Sequence, residues 1–328
     1  MATATGDLLR LVRKGIDVKT VHASTRKPFR FYLCGDPPLV SAMRSFLLSG
    51  HRGDEIPIDA AACLETIVPG IAKPTIASEA RLIIFLGRGG DVSGATMAPL
   101  RSLNLPIIAI TVDEDAQPSG PASPPPRGMF AEYTVPAISR EALRGRVLAH
   151  AVECCKGVEI AVGRCLPAMR ETVAAKLTRD AANNSLKIAL ASAVVDHIPV
   201  VGLVMGVFAS AGDMVAITGI QMMLMLHIEA TYGRDPDVQR LWQLLPVIGG
   251  GFGWRSLARE LSGFIPIAGI AIKGAIAYAG TIVVGEGVTF YYEQGRHMSA
   301  NQAKAIYEST KGEAMTFARD LLRRITKH

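Results

Sequence analysis

Between residues 188 and 228 the chain carries only four ionisable groups, Asp196, His197, Asp213 and His227, and between 264 and 285 its one charged side chain is Lys273. Segments this apolar have to be covered, because leaving a Leu, Ile, Val or Phe in water forfeits about 1.5–3 kcal/mol each. Neither block contains 18 consecutive apolar residues, so a plain membrane-crossing helix is not the default reading. The connecting stretch, 229–263, is balanced: Arg234, Arg240, Arg255 and Arg259 stand against Glu229, Asp235, Asp237 and Glu260. Any fold for this chain must therefore bury two apolar blocks whose runs are interrupted by charge.

The blocks share a phrase. IPVVG (198–202), LPVIG (245–249) and IPIAG (265–269) each place Pro near a helix start and Gly shortly after it. A Pro in the first turn gives up a donor that has no intrahelical partner anyway, and Gly permits close backbone approach. After the first phrase Gly202, Gly206 and Ser210 form a row of small residues at helical spacing, and after the third Ala271, Ala275 and Ala279 form another. Such rows let helices pack closely in apolar surroundings, in a bilayer or in a crowded protein core. A Lys at the centre of a spanning helix costs about 2.5–3.5 kcal/mol on insertion scales, so Lys273 needs a partner, an aqueous cavity or a shallow position. Asp213 is the candidate partner, and a buried Asp213–Lys273 pair is expected; the alternative is a Lys273 that snorkels or caps a soluble bundle.

The first half reads differently. FRFYLCG (29–35), RLIIFLG (81–87), NLPIIAITV (104–112) and EYTVPAI (132–138) are short apolar runs separated by turn-rich or helical stretches, the alternation of an open parallel sheet with buried strands. AQPSGPASPPPRG (116–128), with five prolines in thirteen residues, is a stiff surface loop. From Ser139 to Ser185 apolar residues recur at spacings of three and four, through Leu143, Val147, Ala151 and Cys154 and again through Leu166, Met169, Val173 and Leu177, which predicts helix. Residues 8–16 set Leu8, Leu9, Val12 and Ile16 on one helical face and Arg10, Arg13 and Lys14 elsewhere, a basic amphipathic lead-in.

The formal charge of +6 is unevenly placed: residues 1–30 hold +5 and residues 296–328 hold +4, which leaves the body at −3. Basic ends around a nearly neutral apolar body suit anionic lipid headgroups. With no zinc-knuckle spacing, aromatic RNA-binding signature or helix-turn-helix signal, and only 6% aromatics, nucleic acid is not an expected partner. Five cysteines, Cys34, Cys63, Cys154, Cys155 and Cys165, with no C-x-x-C pair predict free thiols in a reducing compartment. The opening residues lack an apolar core of signal-peptide length, so the N-terminal half is expected to be cytoplasmic.

A strand ending at Gly35 before a helix is where a phosphate-binding loop would lie, and that loop needs G-x-x-x-x-G-K-[ST]. Here Gly35 is followed by Asp36, Pro37, Pro38 and Leu39, and then by Val40, Ser41 and Ala42 in place of Gly, Lys and Ser/Thr. Two prolines remove amide donors, Asp36 sets a negative charge where phosphate would come, and the cation is missing. GRGGDVSG (87–94) follows another strand, but Val92 stands where the dinucleotide fingerprint requires its third Gly, so it reads as a turn. The His residues show no metal-ligand spacing, adjacent Cys154 and Cys155 point to different helix faces, and the RGD at 52–54 is assigned nothing.

The order of strand, loop, helix, further strands and a long helical tail ahead of the apolar blocks resembles bacterial Era-like and Der-like GTPases fused to the hydrophobic domain of unknown function 697. The C-terminal part of the resemblance runs from about Val173 through AANNSLKIAL, IPVVG, GDMVAITGIQMMLMLHIEATYG, VIGGGFGWRSLAREL, IPIAGIAIKGAIAYAGT and YYEQG, about 120 residues in all. The N-terminal part is topological. The family's guanine-reading N-K-x-D would fall near Thr111, Val112, Asp113 and Glu114, where Asn and Lys are absent, and ETIVPG (65–70) lacks the Asp of D-x-x-G. The resemblance implies an α/β, GTPase-like parallel-sheet domain followed by an all-α hydrophobic helical domain. The expected division is a basic lead-in at 1–28, a degenerate GTPase-like domain with helical tail at 29–187, a hydrophobic helical domain at 188–295 and a basic C-terminal helix at 296–328. Gly35, Asp36, Ser41 and Asp113 mark the degenerate nucleotide site, with no catalytic residue, metal or cofactor expected. The function implied is a membrane-associated pseudo-GTPase that binds inner-membrane lipids and a protein partner, an active GTPase among the partner classes, with both the N-terminal domain and the C-terminus cytoplasmic. A slow GTPase using GTP and magnesium, or a soluble helical interaction protein, are the alternatives.

Overall fold

The computed structural model describes residues 17–50, 60–67, 76–89, 94–121, 130–195, 202–240 and 269–325. The lead-in at 8–16, the RGD at 52–54 and the phrase at 245–249 lie outside them. The chain divides into two compact units: an α/β unit, His22–Val173 with Ala230–Arg234, and a helical unit, Met1–Val21, Ala174–Glu229 and Asp235–His328. This division falls upstream of the composition shift at 187, inside a single long helix.

After helix α1 (Val18–Thr25), the α/β unit holds strands β1 (Arg30–Gly35), β2 (Leu64–Ile67), β3 (Ala80–Gly87), β4 (Ile107–Val112) and β5 (Phe130–Val135). All pair in parallel in the order β2-β1-β3-β4-β5. Helices α2 (Pro37–Leu48) and α3 (Gly94–Arg101) lie between successive strands. Parallel strands covered on both faces must be apolar almost throughout, and β1, β3 and β4 are buried along nearly their whole length. Tyr32, Cys34, Ile83, Phe85, Ile107 and Ala109 form one face and pack with Met97 and Leu100 of α3. By strand alternation Phe31, Leu33, Leu82, Ile84, Leu86, Ile108 and Ile110, all buried, form the other.

The four strands expected from sequence are present with shifted ends. β4 begins at Ile107 rather than residue 104 because Asn104 turns the chain at φ +54 and Pro106 follows. β5 stops at Val135 because Pro136 has no N–H to give the ladder. β2 went unanticipated: four residues, LETI, with Glu65 exposed enough to pair with Arg30, carry too little alternation to announce a strand.

Beyond β5 the expected helical stretch is segmented. α4 (Arg140–Leu143) passes through a π turn (Arg144–Leu148) into α5 (Ala149–Glu153). The chain then turns at Gly157, φ +85, before α6 (Glu159–Cys165). Ser139 caps α4 by accepting the Ala142 N–H at 3.3 Å. A 3-10 turn, Pro167–Met169, leads into α7 (Arg170–Val195). Arg170 is 1% exposed. Its guanidinium donates to the Gly163 and Arg164 carbonyls at 3.1 and 3.4 Å and lies 5.9 Å from the Tyr232 ring centroid. Gly163 is required there, since a Cβ would overlap Thr231. The short Ala230–Arg234 segment thereby completes the core of the α/β unit.

The helical unit contains most of α7, α8 (Gly202–Thr231), α9 (Gly269–Gln294) and α10 (Ala300–Ile325). The α9–α10 turn has Gly295 at φ +65, and Ser299 and Gln302 cap α10 reciprocally, each side chain accepting the other's N–H, at 3.0 and 3.3 Å. Among the described residues one helical stretch, Ala271–Gln294, is long and apolar enough to cross a membrane, and 72% of its most apolar window is buried by the protein itself.

Candidate functional site

In a doubly wound sheet of this order, ligands bind outside the carboxyl ends of the strands where the connection direction reverses, here between β1 and β3. Gly35 ends β1 at φ +114, and any Cβ would overlap the Leu86 carbonyl oxygen of β3, so only glycine fits. The next residues decide what the helix can bind. The Asp36 N–H donates to the Leu86 carbonyl at 2.8 Å, and Pro37 and Pro38 have none. The Leu39 N–H donates to Asp36 Oδ1 at 3.4 Å and the Val40 N–H to the Asp36 carbonyl at 2.9 Å. Every amide from Asp36 to Val40 is thus absent or engaged. A helix N-terminus normally attracts anions through free amides and its dipole. At α2 the Asp36 carboxylate occupies that position itself, and its other oxygen faces Arg88 Nε at 3.3 Å.

The other expected nucleotide-site positions are Ser41 and Asp113. Ser41 is exposed in the second turn of α2. Asp113 is exposed just beyond β4, where its Oδ1 accepts the Asp115 N–H at 3.1 Å and its own N–H donates to the Val135 carbonyl at 3.0 Å. Glu114 and Asp115 beside it are also exposed, while Arg146 reaches the Gly120 carbonyl at 3.3 Å near the end of β5. Arg88 was not anticipated as the Asp36 partner, because fifty-two positions separate them and only the β1–β3 pairing brings them together. The cap itself had a local signal: Asp followed directly by Pro is a helix-start signature.

In the helical unit, Ala271, Ala275 and Ala279 are buried at 5% exposure or less. A Cβ at Gly274 would lie 2.9 Å from Leu190 Cδ2, and one at Gly285 would overlap Thr178 Oγ1, so α9 approaches α7 closely at two heights. Between them lies a buried polar node. Thr281 Oγ1 is 2.8 Å from the Ala277 carbonyl, 3.0 Å from Ser185 Oγ of α7 and 3.2 Å from Gln221 Nε2 of α8. A hydroxyl has one proton, so Thr281 donates to the carbonyl and accepts from Ser185 and Gln221. Three helices are fastened at one oxygen. Gly202, Gly206 and Ser210 lie on α8, but their surroundings are outside the described residues, as is the Asp213 side chain. Lys273 is half-buried on α9, and the expected pair with Asp213 lies outside what is described. Glu229, fully buried at the end of α8, is met by Arg240 Nη1 at 2.6 Å and the Asp237 N–H at 3.3 Å. Among the described residues no cluster of His, Cys, Asp or Glu could hold a metal ion.

The cysteines are free. Burial pushes the Cys154 thiol up to about 11 and raises Cys155, whose Sγ contacts the Ala151 carbonyl at 3.0 Å, well above the ordinary thiol value. Neither is a thiolate at neutral pH, and only thiolates are good nucleophiles.

Comparison with known proteins identifies no relative. No family model, curated protein or solved structure matches the chain.

Proposed function

We propose that this chain is a non-hydrolysing, membrane-associated binding module, a pseudo-GTPase whose α/β unit presents a closed nucleotide position and whose helical unit carries it at the inner leaflet. The observation that carries the reading is that no N–H from Asp36 to Val40 is left for a phosphate, two being absent at proline and three engaged, with a carboxylate in the anion position. At an effective dielectric of ~20, a unit negative charge brought within ~4 Å of that carboxylate is opposed by about 4 kcal/mol, before any loss of amide contacts. The α/β fold and the resemblance in residue order agree with a domain that recognises a protein partner, an active GTPase among the partner classes, rather than a nucleotide. In this reading GTP and magnesium are not cofactors.

Membrane association rests on one helix of sufficient length and apolarity, Ala271–Gln294, and on the basic ends of the chain. The burial of most of that helix favours a second reading, a soluble interaction protein in which α9 is the core of a helix bundle. Titration with fluorescent GTP and GDP in magnesium tests the first element: saturable micromolar binding lost on Ser41→Ala would replace a pseudo-GTPase by an atypical GTPase. Carbonate-washed membranes test the second. Retention in the pellet is the expected outcome, and full release with a monodisperse protein in the absence of detergent establishes the soluble reading.

A further inference from the structure

Near the end of α8 the Glu229 side chain is 0% exposed, while that of its partner Arg240 is 39% exposed. Their ion pair spans a short excursion of the chain, which leaves the helical unit after Glu229, spends Ala230–Arg234 in the α/β unit and is back in the helical unit at Asp235. Ala230, Thr231 and Tyr232 are fully buried. Thr231 lies against Gly163, Tyr232 lies beside the Arg170 guanidinium, and the Arg234 carbonyl accepts from Arg164 Nη1 at 2.9 Å. The returning segment then folds back onto the carboxylate the chain set out from: Arg240 Nη1 is 2.6 Å from Glu229 Oε1, and the Asp237 N–H donates to Oε2 at 3.3 Å. Both ends of the excursion meet at one buried acid.

Among the described residues, the charged groups acting on Glu229 are Arg240, which favours its ionised form, and the Asp237 carboxylate, which opposes it; Tyr292 of α9 acts on Arg240. Arg240 is thus its one cation. Removing one partner of a buried pair leaves an uncompensated charge away from water, and that charge has to be neutralised or moved into solvent. A proton on Glu229 neutralises it as Arg240 does. We propose that Glu229 is a latch with two keys: Ala230–Arg234 stays docked while the carboxylate is neutralised by Arg240 or by a proton, and undocks when it has neither, uncovering Gly163 and Arg170. Burial holds the Glu229 carboxyl above its ordinary value even with Arg240 present. The docked state therefore gains stability as pH falls and loses it as pH rises through the raised value. The latch depends on neither nucleotide nor membrane binding.

The test is native-state hydrogen exchange of the full-length protein at pH 5 and pH 7.5, on peptides covering 159–170 and 229–237. Each variant is compared with the unaltered protein at the same pH, so that titration of His150 cancels. Arg240→Ala should lower protection by about tenfold or more at pH 7.5, and by a clearly smaller factor at pH 5, where a proton replaces the lost cation. Adding Glu229→Gln to Arg240→Ala should restore protection at pH 7.5 and abolish the difference between the two pH values. Should Arg240→Ala be unfolded at pH 7.5, recovery of its far-ultraviolet circular dichroism at pH 5 and on adding Glu229→Gln supports the latch, and failure of either recovery overturns it. A loss in Arg240→Ala below about tenfold at pH 7.5, an equal loss at both pH values, or a double variant as exposed as the single also overturns it, since a pair that only packs predicts those results.

Discussion

Replacing Asp36 by Ala removes a helix cap, a favourable charge at the α2 dipole and an ion pair with Arg88 in one step. A lost N-cap costs about 1 kcal/mol and the dipole interaction about 0.3–1 kcal/mol. The Arg88 pair adds little, since the Arg88 side chain is 57% exposed and water screens it. Together these come to about 1–2 kcal/mol, a 5–30-fold change in a local equilibrium constant. Two compact units make a single global unfolding energy poorly defined, so the measurement should be local: native-state hydrogen exchange of peptides covering 35–48. Exchange there should quicken 5–30-fold in Asp36→Ala and by a smaller factor in Asp36→Ser, which keeps a capping oxygen but loses the charge. In the unaltered protein, GDP with magnesium should leave the same peptides unchanged. A less than twofold effect of Asp36→Ala, or protection by GDP, would refute the idea that this carboxylate closes the site.

Thr281→Val strands the buried donors of Ser185 and Gln221, each a loss of about 1–3 kcal/mol, whereas the triple Ser185→Ala, Gln221→Leu, Thr281→Val should cost less than the sum of the singles; additive losses in denaturant melts would dissolve the node as a unit. His150, buried with its Nδ1 3.1 Å from the Tyr133 hydroxyl, is held below its ordinary value by desolvation. The unfolded chain therefore binds this proton first as pH falls below about 6.5, and the α/β unit should lose stability there. Melting curves should show that loss in the unaltered protein and a shallower slope in His150→Leu with Tyr133→Phe; an unchanged slope would remove His150 as its source. Iodoacetamide at pH 8 should modify Cys155 only after denaturation, and its rapid native labelling would contradict its burial.

The central strands were legible because a parallel sheet buried on both faces leaves a continuous apolar run, as in RLIIFLG. Edges were less so: β2 presents four residues to a single neighbour, and its pairing with β1 is set by tertiary contact rather than by pattern. At the candidate site, the local chemistry of Asp36, Pro37 and Pro38 was readable as a helix start unsuited to phosphate, while its completion by Arg88 and the Leu86 carbonyl was not, since both come from β3 and its end. Ser41 and Asp113 were placed by reference to motifs whose key residues this chain lacks. In the helical unit the small residues of α9 announced close packing, but the polar node did not: Ser185, Gln221 and Thr281 are ordinary residues on three separate helices.

The return of Ala230–Arg234 to the α/β unit sets an order on synthesis. A nascent chain that has emerged only as far as Val173 already holds all five strands but lacks Thr231 and Tyr232, against which Gly163 and Arg170 close. The α/β unit can complete its core only after α8 has left the ribosome, so the apolar helix must be accommodated before that unit is finished, and a gene cut at the composition boundary would leave Gly163 and Arg170 without their cover.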